Sequence, residues 1–139
     1  MKPVILVDID GTIALRGGRS PHDHDQAMED AVNWPVVRLC DALYTSGVYD
    51  IVVMSGRDEK YRDITEYWMD QAHGILPYRL ELLMRPRGDN RSDEIVKWEI
   101  YQKSIYTHRT WLVLDDRNKV VAMWRANGLT CLQVADGNF

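Results

Sequence analysis

The sequence predicts one α/β domain built on a doubly wound, five-stranded parallel sheet. Two observations carry this. Apolar runs alternate with helical patterns along the whole chain, and that alternation builds a parallel sheet with helices on its faces. The 139 residues are 45% hydrophobic and 27% charged, an ordinary globular balance in a chain of one-domain size. No repeat, linker or low-complexity tract interrupts it, so residues 1–139 are expected to form a single domain.

The first strand is expected over residues 4–9 (VILVDI), a run of the fully buried type. A helix follows over about 35–46, with Asn33 near its start, Pro35 in its first turn and Gly47 after its end. Residues 50–54 (DIVVM) make a second strand. Residues 60–73 make a second helix, with Ile64, Trp68 and Ala72 on one face. Residues 80–84 are the third strand. A third helix opens with Ser92 as N-cap and Asp93 and Glu94 in its first turn, where the helix dipole favours acids. Ile95, Trp98 and Ile105 are expected on its buried side. Residues 110–114 (TWLVL) form the fourth strand, 119–126 the fourth helix, closed by Asn127-Gly128, and 129–134 the fifth strand.

Composition excludes several classes. No apolar run approaches the roughly 20 residues of a membrane span, and no secretory leader is visible. Cys40 and Cys131 give no disulfide framework and read as small buried hydrophobes in a soluble protein of a reducing compartment. The net charge of −4 argues against coating long duplex through many phosphates, but not against gripping one strand end. Twelve Arg against five Lys favours planar recognition of phosphate.

Ligands bind doubly wound sheets beyond the carboxyl ends of the strands. Three of those ends carry polar groups here: residues 8–12 (DIDGT), 55–57 (SGR) and 115–117 (DDR). Asp8 and Asp10, two apart at a strand end, can face the same side, and Gly11 permits a tight turn. With Asp115 and Asp116, four carboxylates converge on one sheet edge. Their repulsion calls for a divalent cation, and all-oxygen ligands suit Mg²⁺.

This pattern resembles the haloacid dehalogenase (HAD) superfamily of phosphotransferases. Asp8 to Thr12 match its first motif, Ser55 its second, Lys97 its third and Asp115-Asp116 its fourth, in the right order. Residues 5–14, 19–23, 52–57, 88–91, 93–100, 115–117, 123–125 and 133–139 are further similar to the 3′-phosphatase domain of phage polynucleotide kinase. The sequence contains no GxxxxGK[ST] phosphate loop, so the kinase half is not represented; a start at Met1 close to the first strand favours a stand-alone chain. Two departures stand out: His22 replaces the phage domain's Tyr, and the segment after Arg57 is shorter.

The resemblance implies roles. Asp8 would be the nucleophile, forming an aspartyl-phosphate, and Asp10 the general acid that later activates water. Mg²⁺ would be held by Asp8, the Asp10 backbone carbonyl, and one or both of Asp115 and Asp116. Asp8 would be kept ionised by the metal, and Asp10 left able to carry a proton. Ser55 and Lys97 would bind the transferring phosphoryl group, with Thr12, Gly11 and Gly56 beside it. Arg19 and Arg57 read as phosphate clamps, and Asp93 as a residue that orients Lys97. His22, near the substrate, is a further contact candidate. Trp68, Trp98 and Trp124 read as core. The arginines of residues 79–91 are equally a nucleic-acid contact or a solvated face.

HAD enzymes often carry a cap domain between the first and second motifs or the second and third. Here those gaps are 45 and 42 positions, filled by predicted elements, so the chain is expected to be capless. An open site admits a polymer end, which can itself exclude water. The reading is a Mg²⁺-dependent phosphatase of 3′-phosphate ends of DNA or RNA, coupled to a kinase or ligase step, in the cytoplasm (the host's if phage-encoded). The alternative is a nucleoside monophosphate phosphatase using the same residues.

Overall fold

The apolar run near the start of the chain forms β1 (Val4–Val7), buried on both faces. The computed structural model describes residues 1–20 and 22–139; Pro21, in the matched segment 19–23, lies outside the described residues. After β1 comes a small antiparallel hairpin, β2 (Ala14–Leu15) with β3 (Ala31–Val32), enclosing a 3₁₀ helix at His24–Glu29. Helix α1 (Trp34–Thr45) leads to β4 (Asp50–Asp58). A 3₁₀ turn, α2 (Arg62–Tyr67) and a π-helical segment (Trp68–His73) lead to β5 (Leu82–Arg85). Then follow α3 (Asp93–Lys103), β6 (Thr110–Asp115), α4 (Asn118–Ala126) and β7 (Cys131–Gln133).

The five long-range strands pair in parallel in the order β5-β4-β1-β6-β7. The order turns back beside β1, and that switch point opens a crevice at the carboxyl ends of β1, β4 and β6. Strand alternation divides the core into two layers. Ile5, Val7, Ile51 and Val53 pack with Val37, Cys40 and Trp68 on one face. Val4, Leu6, Val52 and Met54 pack with Tyr101, Val120 and Trp124 on the other. The result is the expected three-layer sandwich, a five-stranded parallel sheet with helices on both faces.

Several boundaries differ from expectation. The 60–73 helix is three pieces, because the last turn widens to π geometry before Gly74 ends it at φ +60°. Such widening re-aims a side chain, here Trp68, whose buried indole N–H donates to the Asp30 carbonyl at 2.9 Å. Strand β4 runs on through Ser55, Gly56 and Arg57 instead of stopping before them. On α3 the buried side is Val96, Lys97 and Tyr101, while Ile95 and Ile105 are 50% and 78% exposed. The apolar pattern misled there because a lysine, not an isoleucine, is the residue that must point inward. Ser92 does precede α3, but its hydroxyl donates to the Glu94 carboxylate and accepts no backbone N–H, so it makes no side-chain cap.

Replacing Trp68 with Phe leaves the buried Asp30 carbonyl without its donor and removes core volume. The expected loss is about 2–4 kcal/mol, read by urea denaturation. Trp111→Phe, at a 66% exposed position, is expected to cost less than about 0.5 kcal/mol.

Candidate active site

Two strand ends deliver the negative charge. Asp8 follows β1, Asp115 closes β6, and Asp116 comes next. All three are buried, and one carboxylate oxygen from each lies within 4.8 Å of the others. Helix α3 points Lys97 into this group. Its ammonium donates to Asp8 Oδ1 at 2.8 Å and Asp115 Oδ2 at 3.0 Å. The Thr12 hydroxyl donates to Asp8 Oδ2 at 3.0 Å. Gly11 is required between them: its φ is +81°, and a Cβ there would fall inside the Asp116 carboxylate.

One cation does not balance three buried anions. Burial first, then Asp115 and Asp116, push the Asp8 carboxyl well above the ordinary carboxylate range, against the pull of Lys97. Burial and Asp115 push Asp116 up to about 6. Burial alone would lower Lys97, but Asp115, Asp8 and Asp93 outweigh it and hold it protonated.

Asp10 has the opposite surroundings. Four carboxylates were expected to converge; the structure gathers three and turns the Asp10 side chain onto arginines. Arg57 donates to Asp10 from Nε at 3.0 Å and from Nη2 at 2.8 Å. Arg19 Nη2 donates to Asp10 at 3.0 Å. Burial raises Asp10, but Arg57, with help from His24 and Arg19, holds it below its ordinary value. Burial and neighbouring acids thus push Asp8 up while arginines hold Asp10 down, the opposite of the order expected with a metal beside Asp8. Burial also lowers His24 to about 4, so it is neutral at pH 7.

The two arginines are fully engaged. Arg19 also donates to both oxygens of Asp30 and to the carbonyls of Ser20 and Asp23. Arg57, 1% exposed, also reaches Thr65 Oγ1 at 2.9 Å and Asp30 at 3.3 Å. Their donors face Asp10 and Asp30, and the cleft wall is made by other residues, Arg16, Arg85 and Arg117 among them.

The remaining predicted residues are placed as follows. Ser55 is buried within β4 and accepts the Arg57 backbone N–H at 3.1 Å. Gly56 and Asp93 touch: a Cβ on Gly56 would strike the Asp93 carboxylate. Asp93 lies 3.8 Å from the Lys97 ammonium and accepts from Arg85 at 3.0 Å. Burial raises Asp93, but Lys97, Arg85 and Arg117 together hold it below its ordinary value. His22 lines the cleft.

Sequence reasoning missed Asp30, Thr65 and Arg85. Asp30 and Thr65 carry no motif, and only the fold brings them to Arg57. Arg85 lay inside the arginine-rich segment, where nothing separated a part-buried partner of Gly56 and Asp93 from its solvated neighbours.

The residues fit a hard divalent cation. The donors are all oxygen, they are buried and under-neutralised, and Mg²⁺ chemistry wants such carboxylates. Both Asp115 oxygens are already acceptors, from Lys97 and from the Asp116 N–H at 2.8 Å. The Asp116 carboxylate pairs with no lysine or arginine among the described residues, and its side-chain partner is the Asp8 carboxyl.

A doubly wound sheet whose first strand ends in DxDGT, with a lysine from α3 between that strand's Asp and a second acidic strand end, defines a HAD-type phosphatase. The family follows. The chain belongs to the polynucleotide kinase PNKP phosphatase domain family, whose profile matches residues 2–139. It is 32% identical over 123 residues to a protein of Autographa californica nuclear polyhedrosis virus named "Putative bifunctional polynucleotide kinase/RNA ligase", covering 87% of this chain and 17% of that one. Among solved structures it is similar to a chain of the Pnkp1/Rnl/Hen1 complex, at TM-score 0.90 and 35% identity over 99% of this chain and 48% of that one. A chain of the Pnkp1/Rnl/Hen1 RNA repair complex aligns at TM-score 0.88 and 35% identity, with 99% and 44% covered. This chain thus spans less than half the length of these relatives. No helix of the described residues is long and apolar enough to cross a membrane.

The charge crowding gives a stability prediction. Asp116 is raised to about 6 when folded, above the ordinary 3.8. Its ionisation therefore destabilises the metal-free fold progressively from about pH 4 to 6, and fully above that. Asp116→Asn is expected to raise the Tm of the chelator-treated protein at pH 7.5 by about 3 °C or more, with the gain vanishing near pH 4. Mg²⁺ is expected to raise the wild-type Tm and to leave that of the variant nearly unmoved. Calorimetry checks both.

Proposed function

We propose that the chain is a Mg²⁺-dependent phosphomonoesterase that removes 3′-phosphates from polynucleotide ends through an aspartyl-phosphate on Asp8. The observation that carries this reading is the buried Asp8–Lys97–Asp115–Asp116 constellation at the floor of an uncapped cleft.

Asp8 Oδ1 and Oδ2 are held by Lys97 and Thr12, which fixes the carboxylate for attack on phosphorus. Lys97 then offsets charge on the transferring phosphoryl group, with Ser55 and the backbone near Gly11 and Gly56 as further donors. Asp8, Asp116 and the Asp10 carbonyl would hold Mg²⁺, with Asp115 anchoring Lys97 beside them. The ion supplies charge neutralisation for Asp8 and the phosphate, and its binding keeps the crowded carboxylates ionised. Asp10 is the acid toward the leaving oxygen and then the base toward water. Arg57 and Arg19 favour its anionic state, which suits the second step; a phosphate dianion alongside raises its affinity for a proton, which suits the first. On this reading both arginines position Asp10 and do not clamp substrate themselves.

An open cleft suits a strand end. The family and the relatives' names support a nucleic-acid substrate and a place beside a kinase or ligase step.

The test is phosphate release from 3′-phosphorylated DNA and RNA oligonucleotides and from matched 3′-mononucleotides, with Mg²⁺ and with chelator. Release is expected only with Mg²⁺ and faster on an oligonucleotide, and Asp8→Asn is expected to lower it by more than about 10³-fold. Faster turnover of the mononucleotide would overturn the substrate and keep the chemistry. Undiminished activity in Asp8→Asn would overturn the nucleophile.

The positioning role has its own signature. Asp30→Asn removes the anion that holds Arg19 and Arg57. It is expected to lower kcat by about 10-fold or more with little change in KM, and to shift the pH profile of kcat. An unchanged profile with normal kcat would show that Asp30 only supports the fold.

A further inference from the structure

Three arginines line the cleft, Arg16, Arg85 and Arg117, and they are not equivalent. Arg85 donates to the carbonyls of Gly56, Asp89 and Arg91 and to the Asp93 carboxylate. Arg117 donates from Nε to the Phe139 carbonyl at 2.8 Å, and its Nη1 lies 3.6 Å from Asp93. Arg16 has no side-chain or carbonyl acceptor among the described residues. Its guanidinium carbon lies 4.8 Å from the centre of the Phe139 ring, and that of Arg117 lies 5.1 Å from the same ring. Phe139 itself forms part of the cleft wall.

A guanidinium on a ring face uses its π surface there and leaves its five N–H donors for another acceptor. The ring also restricts a flexible side chain, so less freedom is lost when an anion binds. Arg16 is thus a pre-placed cation without an anion, in a cleft whose floor is arranged for a phosphate. Arg19 and Arg57 cannot serve in its place, since Asp10 and Asp30 occupy them. The scissile phosphate has Lys97 at the floor. What a strand end brings in addition, and a free mononucleotide lacks, is the phosphodiester to the preceding nucleotide.

We propose that Arg16, held on the Phe139 ring, binds the phosphodiester next to the 3′-terminal nucleotide, and that this contact selects a strand end over a free nucleotide. The proposal rests on the phosphatase reading above. Arg16 is a binding residue and Phe139 a positioning residue.

The test compares a 3′-phosphorylated tetranucleotide, in whichever sugar the wild type turns over faster, with the matching 3′-mononucleotide. A third substrate is the tetranucleotide with a neutral methylphosphonate at its last internucleotide linkage. The readout is the ratio of kcat/KM on each tetranucleotide to that on the mononucleotide. Arg16→Gln is expected to lower the ratio about 10-fold on the charged tetranucleotide, mainly through KM. The methylphosphonate is expected to cost the wild type the same factor and the variant little. The log–log salt dependence of oligonucleotide KM should become shallower by about 0.7. Phe139→Ala is expected to behave like Arg16→Gln, and Phe139→Tyr to keep the ratio. Circular dichroism confirms that each variant is folded. An Arg16→Gln ratio equal to wild type, or an equal methylphosphonate penalty in both proteins, overturns the proposal alone. Wild-type inactivity on every substrate overturns the phosphatase reading and this proposal with it.

Discussion

A buried ammonium between two buried carboxylates is the contact on which the rest of the site depends. Lys97 comes from α3, Asp8 from the end of β1 and Asp115 from the end of β6, so one cation joins three elements far apart in sequence. Removing water from such charges costs several kcal/mol each, and mutual attraction repays it only with good geometry. That geometry is available because β1 and β6 are direct neighbours in the sheet. The same demand turns α3 so that Lys97 faces inward and Ile95 outward. Packing agrees with it, since Val96 and Tyr101 go in on the same side and Trp98 and Ile100 pack against the core, with Tyr101 edge-on to Trp124.

Asp8 and Asp10 are two residues apart, yet the fold gives them opposite fields. Acids surround one and arginines the other, so burial, which raises both, is reinforced at Asp8 and overruled at Asp10. The support for Asp10 extends outward in a chain of contacts. Arg19 and Arg57 hold the carboxylate, Asp30 holds both arginines, and the Trp68 indole holds the Asp30 backbone. The widened turn at Trp68–His73 belongs to this chain, because Trp68 must leave the α2 helix at the angle that reaches the hairpin. A local departure from regular helix thus fixes a carboxylate outside its own element.

The sheet was legible in the sequence because strands buried on both faces declare themselves as unbroken apolar runs, as residues 4–7 and 51–54 do. The acidic strand ends were legible for a related reason: paired Asp directly after such runs have no role in a core. Their convergence was only partly legible. Spacing says that Asp8 and Asp10 can face one way, but not that two arginines, from the hairpin and from β4, will capture one of them. Asp30 and Thr65 had no signal at all, since each matters only through Arg57, reached across 27 and 8 residues. The helix of residues 60–73 looked regular because a π turn needs no unusual residue. Only the fold shows that Trp68, the first residue of that turn, donates its indole N–H to the Asp30 carbonyl.

Counting cations by what they already hold clarifies how such a site meets an anionic substrate. The arginines nearest the reacting carboxylates are those least able to bind a phosphate, because buried acids saturate their donors. Breaking those pairs to admit substrate would leave Asp30 as an uncompensated buried charge and Asp10 as a part-buried one, a cost of several kcal/mol. On the proposed reading, substrate charge falls on groups with spare capacity: Lys97, the cation that Asp8 and Asp116 would hold, and basic side chains of the cleft wall. The floor treats any phosphomonoester alike, since it meets only the phosphate. On the reading proposed above, discrimination among phosphomonoesters comes from the wall, where Arg16, which has no acceptor among the described residues, would meet the second phosphate of a strand end.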